Sequence, residues 1–143
     1  MKRLLSIIML VTFAFGQEGD AQVASAQFGG SGLSELEIQT LYSRFLDELT
    51  KASDSPLMDA AAVNEQYDGD CITPECMKAG LDALAVQQLI AGTLNFSKNK
   101  YRVKARKLDA SKTKPKKYSI RYKGEPDGFI TELEILAWEM MGK

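Results

Sequence analysis

Apolar and polar positions change period several times along this chain, and each change predicts an element. From Ser34 onward, Ile38, Leu41, Tyr42, Phe45 and Leu49 recur at helical spacing. The polar positions between them are Glu35, Glu37, Arg44, Asp47, Glu48 and Lys51. Ser34 and Glu37 have the spacing of a capping box, with Leu33 and Ile38 placed as a hydrophobic staple. A helix over 35–52 follows, ended by the turn chemistry of Ser53-Asp54-Ser55-Pro56. Residues 86–94 (VQQLIAGTL) are nearly continuous in apolar character at their centre, as in a strand covered on both faces. Beyond them Tyr101, Val103 and Ala105 alternate with Arg102, Lys104 and Arg106. Tyr118, Ile120 and Tyr122 alternate in the same way with Ser119, Arg121 and Lys123. The period of two predicts an antiparallel meander with one wet face. Turns are expected at 97–100 and 110–116.

The remaining elements are shorter. Residues 23–28 (VASAQF) and Leu57-Met58 suit brief strands. Asp59 is placed to cap a short helix over 60–66. Thr73 and Pro74 are placed to open another, with Met77, Leu81 and Leu84 as its stripe. Asp127 is the expected cap of a last helix whose stripe is Ile130, Leu133, Leu136, Ala137 and Met140. Trp138 lies off the centre of that stripe, as a rim residue does. The expected fold is α/β (α+β): a mixed sheet of about five strands in the order β-α-β-α-β-β-β-α, with helices packed on it. At 143 residues the chain is one domain long.

Residues 1–16 have the make-up of a signal peptide. Lys2 and Arg3 precede a mainly apolar run of about a dozen residues, short for a membrane span. Ala14 and Gly16 place cleavage before Gln17, leaving 17–143 as the mature domain. Ala24-Ser25-Ala26 is a second small-residue site, well past the apolar run. No cysteine follows that run, so a lipoprotein is not expected. The chain is expected to be periplasmic or secreted, without a membrane span once mature. An exported chain meets an oxidising compartment, where Cys71 and Cys76 are expected to form a disulfide.

The chemistry on offer is narrow. The absence of histidine removes Ser/His and Cys/His catalysis, and two cysteines are too few for a four-thiolate metal site. Gly29-Gly30-Ser31-Gly32 between a strand and a helix raises a phosphate loop, but it lacks the Gly-Lys-Ser/Thr ending; a flexible connection is expected. Asp68 and Asp70 lack the oxygen ligands and distal glutamate of a calcium loop. A hydrolase would draw on Asp68, Asp70 and Glu75, which have no partner base in sequence. No metal, cofactor or catalytic residue is expected.

Charge changes the picture more. The formal net charge is −1, and loss of Lys2 and Arg3 moves it to −3. Across residues 98–123, however, every charged residue except Asp109 is basic. Alternation puts Arg102, Lys104, Arg106, Arg121 and Lys123 on the wet face, and they are the candidate partner-binding residues. The competing reading is a solvated face whose lysines discourage sheet-to-sheet aggregation. Nucleic acid is not the expected partner of an exported chain.

Several of these stretches together resemble a known family. They are VASAQF, the helix opening Leu33-Ser34-Glu35-Leu36-Glu37, the Cys-x4-Cys loop entering a helix, LIAGTL, the meander, and Tyr122-Lys123-Gly124-Glu125 followed by Asp127-Gly128. Over about residues 22–141 the chain resembles the periplasmic domain of the curli secretion channel CsgG, the TolB N-terminal domain and LpoB-like envelope proteins. The resemblance implies a mixed sheet with packed helices and a non-enzymatic role in envelope assembly or partner binding. The expected partner is an envelope protein or an anionic envelope polymer. Family members are often lipoproteins, and CsgG carries membrane-spanning hairpins as insertions; this chain has neither the lipid-accepting cysteine nor the insertions. Because CsgG forms rings, a subunit of a larger ring-like envelope complex is an alternative, and a small secreted hydrolase is another.

Overall fold

A computed structural model describes residues 22–68 and 71–143. The signal segment, the cleavage site and Asp70 lie outside the described residues. The element order is β1 (Val23–Ser25), β2 (Gly29–Ser31), α1 (Glu35–Ala52), α2 (Ala60–Gln66), α3 (Pro74–Leu84), β3 (Gln88–Ser97), β4 (Lys100–Asp109), β5 (Lys116–Lys123) and α4 (Pro126–Met140). The five strands form one mixed sheet in the order β1-β3-β4-β5, with β2 beside β3 as well. β1 and β2 run parallel to β3, while β3, β4 and β5 form the expected antiparallel meander. The α+β fold is the expected one.

Two helical layers sandwich the sheet. α1 and α4 pack on one face, where Ile38, Leu41, Tyr42, Phe45 and Leu49 meet Ile90, Leu94, Val103, Leu133 and Leu136. α2 and α3 pack on the other, where Val63, Met77, Leu81 and Leu84 meet Ala24, Leu89, Ala91 and Leu108. Coverage on both faces is why residues 89–91 are consecutively apolar. Tyr42 crosses between α1 and β1: its hydroxyl lies 2.8 Å from Ser25 Oγ and donates to the Ser25 carbonyl at 3.1 Å. Burial pushes the Tyr42 phenol up to about 12, with the Ser25 hydrogen bond acting the other way.

Several local expectations are met. Ser34 and Glu37 form both bonds of the capping box, Asp59 caps α2, and Thr73 caps α3 with Pro74 in its first turn. The β3–β4 turn is built on Lys98 and Asn99, both in the left-handed region at φ 55° and 63°. Two such residues match the twist of a tight hairpin.

Other expectations are corrected. The glycine stretch 29–32 is not a loose connection: Gly29–Ser31 is a strand, with Gly30 opposite Leu94. The reason is close approach, since a Cβ on Gly30 would lie 1.7 Å from the Leu94 carbonyl oxygen. The strand expected over 23–28 therefore stops at Ser25 and resumes as β2. Between the two, the Gln27 N–H turns away to Asn64 Oδ1 at 3.0 Å. Leu57 makes only an isolated bridge to Val23. The central strand starts at Gln88, because Ala85 in the left-handed region ends α3 just before it. The cap of α4 is Glu125 rather than Asp127, because Pro126 takes the first helical position. Phe129 belongs to the core stripe of α4, and Ile130 is only partly buried.

Candidate functional site: a cationic face of the meander

The two helical layers do not cover the sheet equally. On the α2–α3 side, burial ends at the row of Leu89 and Leu108 and the adjacent Ala91. Beyond that row the face carries Thr93 and Asn95 of β3, Arg102, Lys104 and Arg106 of β4, and Lys117, Ser119 and Arg121 of β5. Register sets the rows: Asn95, Arg102 and Arg121 lie side by side, then Thr93, Lys104 and Ser119, then Ala91, Arg106 and Lys117. Lys100 and Lys123 are paired at the far end. The five residues singled out by alternation thus share one face. Lys100 and Lys117 join them, and the cross-strand register shows this.

Arg102, Lys104, Arg121 and Lys123 are exposed and Arg106 is half-buried, its Nη1 donating to the Ala105 carbonyl at 3.1 Å. Among the described residues, the ion pairs are Arg44–Glu134, Lys51–Glu48 and Lys143–Asp54, and none involves this face. Like charges directly opposite on adjacent strands, such as Arg102 and Arg121, repel. The guanidinium and ammonium groups border a shallow cleft of about 330 Å³ lined by Arg102, Lys104, Arg106, Lys117 and Arg121 with Tyr118. A second cleft of about 460 Å³ continues over Asn95, Lys98 and Lys100. Such a surface suits carboxylates, sulfates or phosphates presented on an extended partner.

Lys107 breaks the pattern. It falls on the opposite face, and its Nζ donates to the Met140 carbonyl at the end of α4. This tethers a cation at a helix C-terminus, where the dipole favours it.

The other candidate chemistry is dispersed. Asp68 follows the end of α2, and Glu75 sits in the first turn of α3. Ser31 of the glycine stretch donates its N–H and hydroxyl to Asn95 Oδ1, at 2.9 and 3.0 Å, so that amide is not presented to an anion. Among the described residues no cluster of three or more acidic, cysteine or histidine side chains could hold a metal ion. Cys71 and Cys76 stand 5.9 Å apart at Cα, a separation that suits a bridge. Trp138 is a rim residue on the helical side, and its Nε1 donates to Glu48 Oε1 at 3.0 Å. No helix among the described residues is long and apolar enough to cross a membrane.

Several solved structures share this fold. A PelC variant, a dodecamer from Paraburkholderia phytofirmans, superposes with a TM-score of 0.54 at 8% identity, over 86% of this chain and 89% of that one. The lipoprotein GNA1162 from Neisseria meningitidis gives 0.54 at 14% identity, over 86% and 97%. The LpoB C-terminal domain from Salmonella enterica gives 0.51 at 6% identity, over 73% and 84%. At these identities the likeness is one of fold. It meets the LpoB part of the resemblance at that level. No family model and no curated protein matches the sequence.

Proposed function

We propose that the chain is an exported, non-enzymatic module of the cell envelope that binds an acidic protein surface or anionic envelope polymer through Arg102, Lys104, Arg106, Arg121 and Lys123. The observation that carries this reading is the cationic sheet face, which no helix covers and no carboxylate of the described residues neutralises. The fold shared with GNA1162 and LpoB supports an envelope role. A single-stranded nucleic acid is disfavoured. Among the described residues the exposed large apolar side chains are Leu36, Ile135 and Trp138, all on the helical side, so the cationic face offers no stacking platform.

Replacing Arg102, Lys104 and Arg121 with Ser should weaken binding to immobilised polyglutamate about tenfold. Exposed ion pairs contribute roughly 0.2–1 kcal/mol each, and 1.4 kcal/mol is a factor of ten. Wild-type affinity should fall steeply with salt, because exposed charges are screened beyond about 10 Å at 0.1 M. Equal, salt-indifferent binding by both proteins would leave the meander a solvated face.

Export before Gln17 fits the fold, since cleavage at the second small-residue site would remove β1, whose Ala24 pairs with Leu89. In an oxidising compartment the Cys71–Cys76 bridge fastens the loop after α2 to the start of α3. One mass measurement checks both points: the exported protein should begin at Gln17 and take up no alkylating reagent unless reduced. A mass that includes residues 1–16, or full alkylation of the native protein, counts against export.

A second reading, a subunit of a larger envelope assembly, is favoured by the likeness to PelC, a dodecamer.

A further inference from the structure

The charge of this molecule is divided between its two sides. The outer surface of α1 and α4, opposite the cationic strip, is acidic. Its two helical cations are already paired: Arg44 lies 3.3 Å from Glu134 and Lys51 lies 2.9 Å from Glu48. Glu35, Glu37, Asp47, Asp127, Glu132 and Glu139 form no ion pair among the described residues. In the same layer Ile135 and Trp138 are 49% and 38% exposed, one helical turn apart, beside a cleft of about 480 Å³. The indole is held by its bond to Glu48, so little rotamer freedom remains to be lost on contact.

We propose that the acidic partner of the cationic sheet face is this helical face of a second copy, so that copies associate head to tail. The proposal rests on the reading of the sheet face as an anion-binding surface and names its occupant. Glu134 and Glu139 of one copy face the Arg102, Arg121 and Lys104 cations of the next, with Trp138 and Ile135 packed among them. Trp and Arg dominate the energetics of interfaces, and a guanidinium over an indole adds cation–π attraction. Both complementary surfaces are present on every molecule. The net charge of −1, or −3 after export, leaves only weak overall repulsion between copies. An interface between two different surfaces of the same chain is heterologous, and it closes into a ring or continues as a filament.

Sedimentation velocity of the oxidised exported chain tests this. Wild-type protein should form dimers and larger species at low ionic strength and be monomeric at about 1 M salt, where screening acts within about 3 Å. Arg102→Glu/Arg121→Glu and Glu134→Lys/Glu139→Lys should each be monomeric alone, with self-association weakened by about 100-fold, because like charges face each other. Mixed one to one, the two variants should associate again, since each retains one intact surface and the two reversed surfaces carry opposite charges. Arg102, Arg121 and Glu139 are exposed and Glu134 is half-buried, and unchanged circular dichroism verifies the fold. If the arginine variant misfolds, Lys104→Glu takes its place. A wild-type monomer at low salt, self-association of either variant alone, or a mixture that stays monomeric overturns the proposal. Glu134→Lys/Glu139→Lys keeps the cationic face and should still bind polyglutamate. Polyglutamate binding without self-association overturns the head-to-tail contact alone. Self-association without polyglutamate binding overturns the broader reading.

Discussion

Phe129→Ala should lower the unfolding free energy by about 3–5 kcal/mol, the range for removing a buried aromatic side chain. Phe129 is fully buried in the first turns of α4. Its ring stacks on Tyr101 of β4 with centroids 4.2 Å apart and an interplanar angle of 12°. It also meets the Tyr122 ring of β5 at 6.1 Å, and Tyr101 in turn meets Phe96 of β3 at 4.6 Å. One side chain therefore ties α4 to all three strands of the meander. Its loss leaves a cavity beneath the strands that carry the cations. A domain of this kind has about 5–15 kcal/mol in total, so a large share of its stability goes. Urea unfolding at neutral pH measures it. Phe129→Leu, which refills most of the volume, should recover more than half of the loss. A change below about 1 kcal/mol for the alanine variant would mean that α4 is not anchored through this ring.

Gly30→Ala should destabilise by about 3 kcal/mol, the upper end of the usual overpacking range. The sign is the informative part. At an unstrained site Gly→Ala stabilises by about 0.4–1 kcal/mol, by restricting the unfolded chain. Here the added methyl meets backbone, 1.7 Å from the Leu94 carbonyl oxygen, and a carbonyl in a strand ladder cannot rotate away as a side chain would. Gly32 repeats the arrangement against the Phe96 carbonyl oxygen at 1.8 Å, with φ at 83°. A neutral or stabilising Gly30→Ala, read from the shift in urea midpoint, would return the stretch to the flexible connection that its composition suggests.

These two residues also mark where the sequence was hard to read. α1 was legible because cap, staple and stripe all agree on one helix. The strand of Gly29–Ser31 was not, because glycine normally signals a break, and only the approach of β3 gives it the opposite meaning. Phe129 was missed because residues 129–141 are rich in apolar side chains on several sides, so spacing alone selects more than one stripe. The cationic face was visible in the alternation of residues 101–106 and 118–123. Its limits were not, because where α2 and α3 stop over the sheet is a matter of packing. Leu108 shows the boundary: β4 changes there from one buried face to two, a change of period too short to detect as a pattern.

The hairpins of the meander and the parallel edge of the sheet also differ in how far the chain must search to make them. Ser97 pairs with Lys100 across a two-residue turn, whereas Ala24 must find Leu89 and Gly30 must find Leu94. Closing such long loops costs entropy before any contact compensates, so non-local pairing tends to come late in folding. The meander and α4 are expected to form the nucleus, with β1 and β2 docking after the rate-limiting barrier. Gly30→Ala should accordingly speed unfolding and leave the refolding rate nearly unchanged, whereas Phe129→Ala should slow refolding. Stopped-flow refolding of Gly30→Ala that is slowed as much as that of Phe129→Ala would reverse this order. If the order holds, the cationic face is assembled before the edge that completes the sheet, and a refolding chain presents its charged strands while β1 is still free.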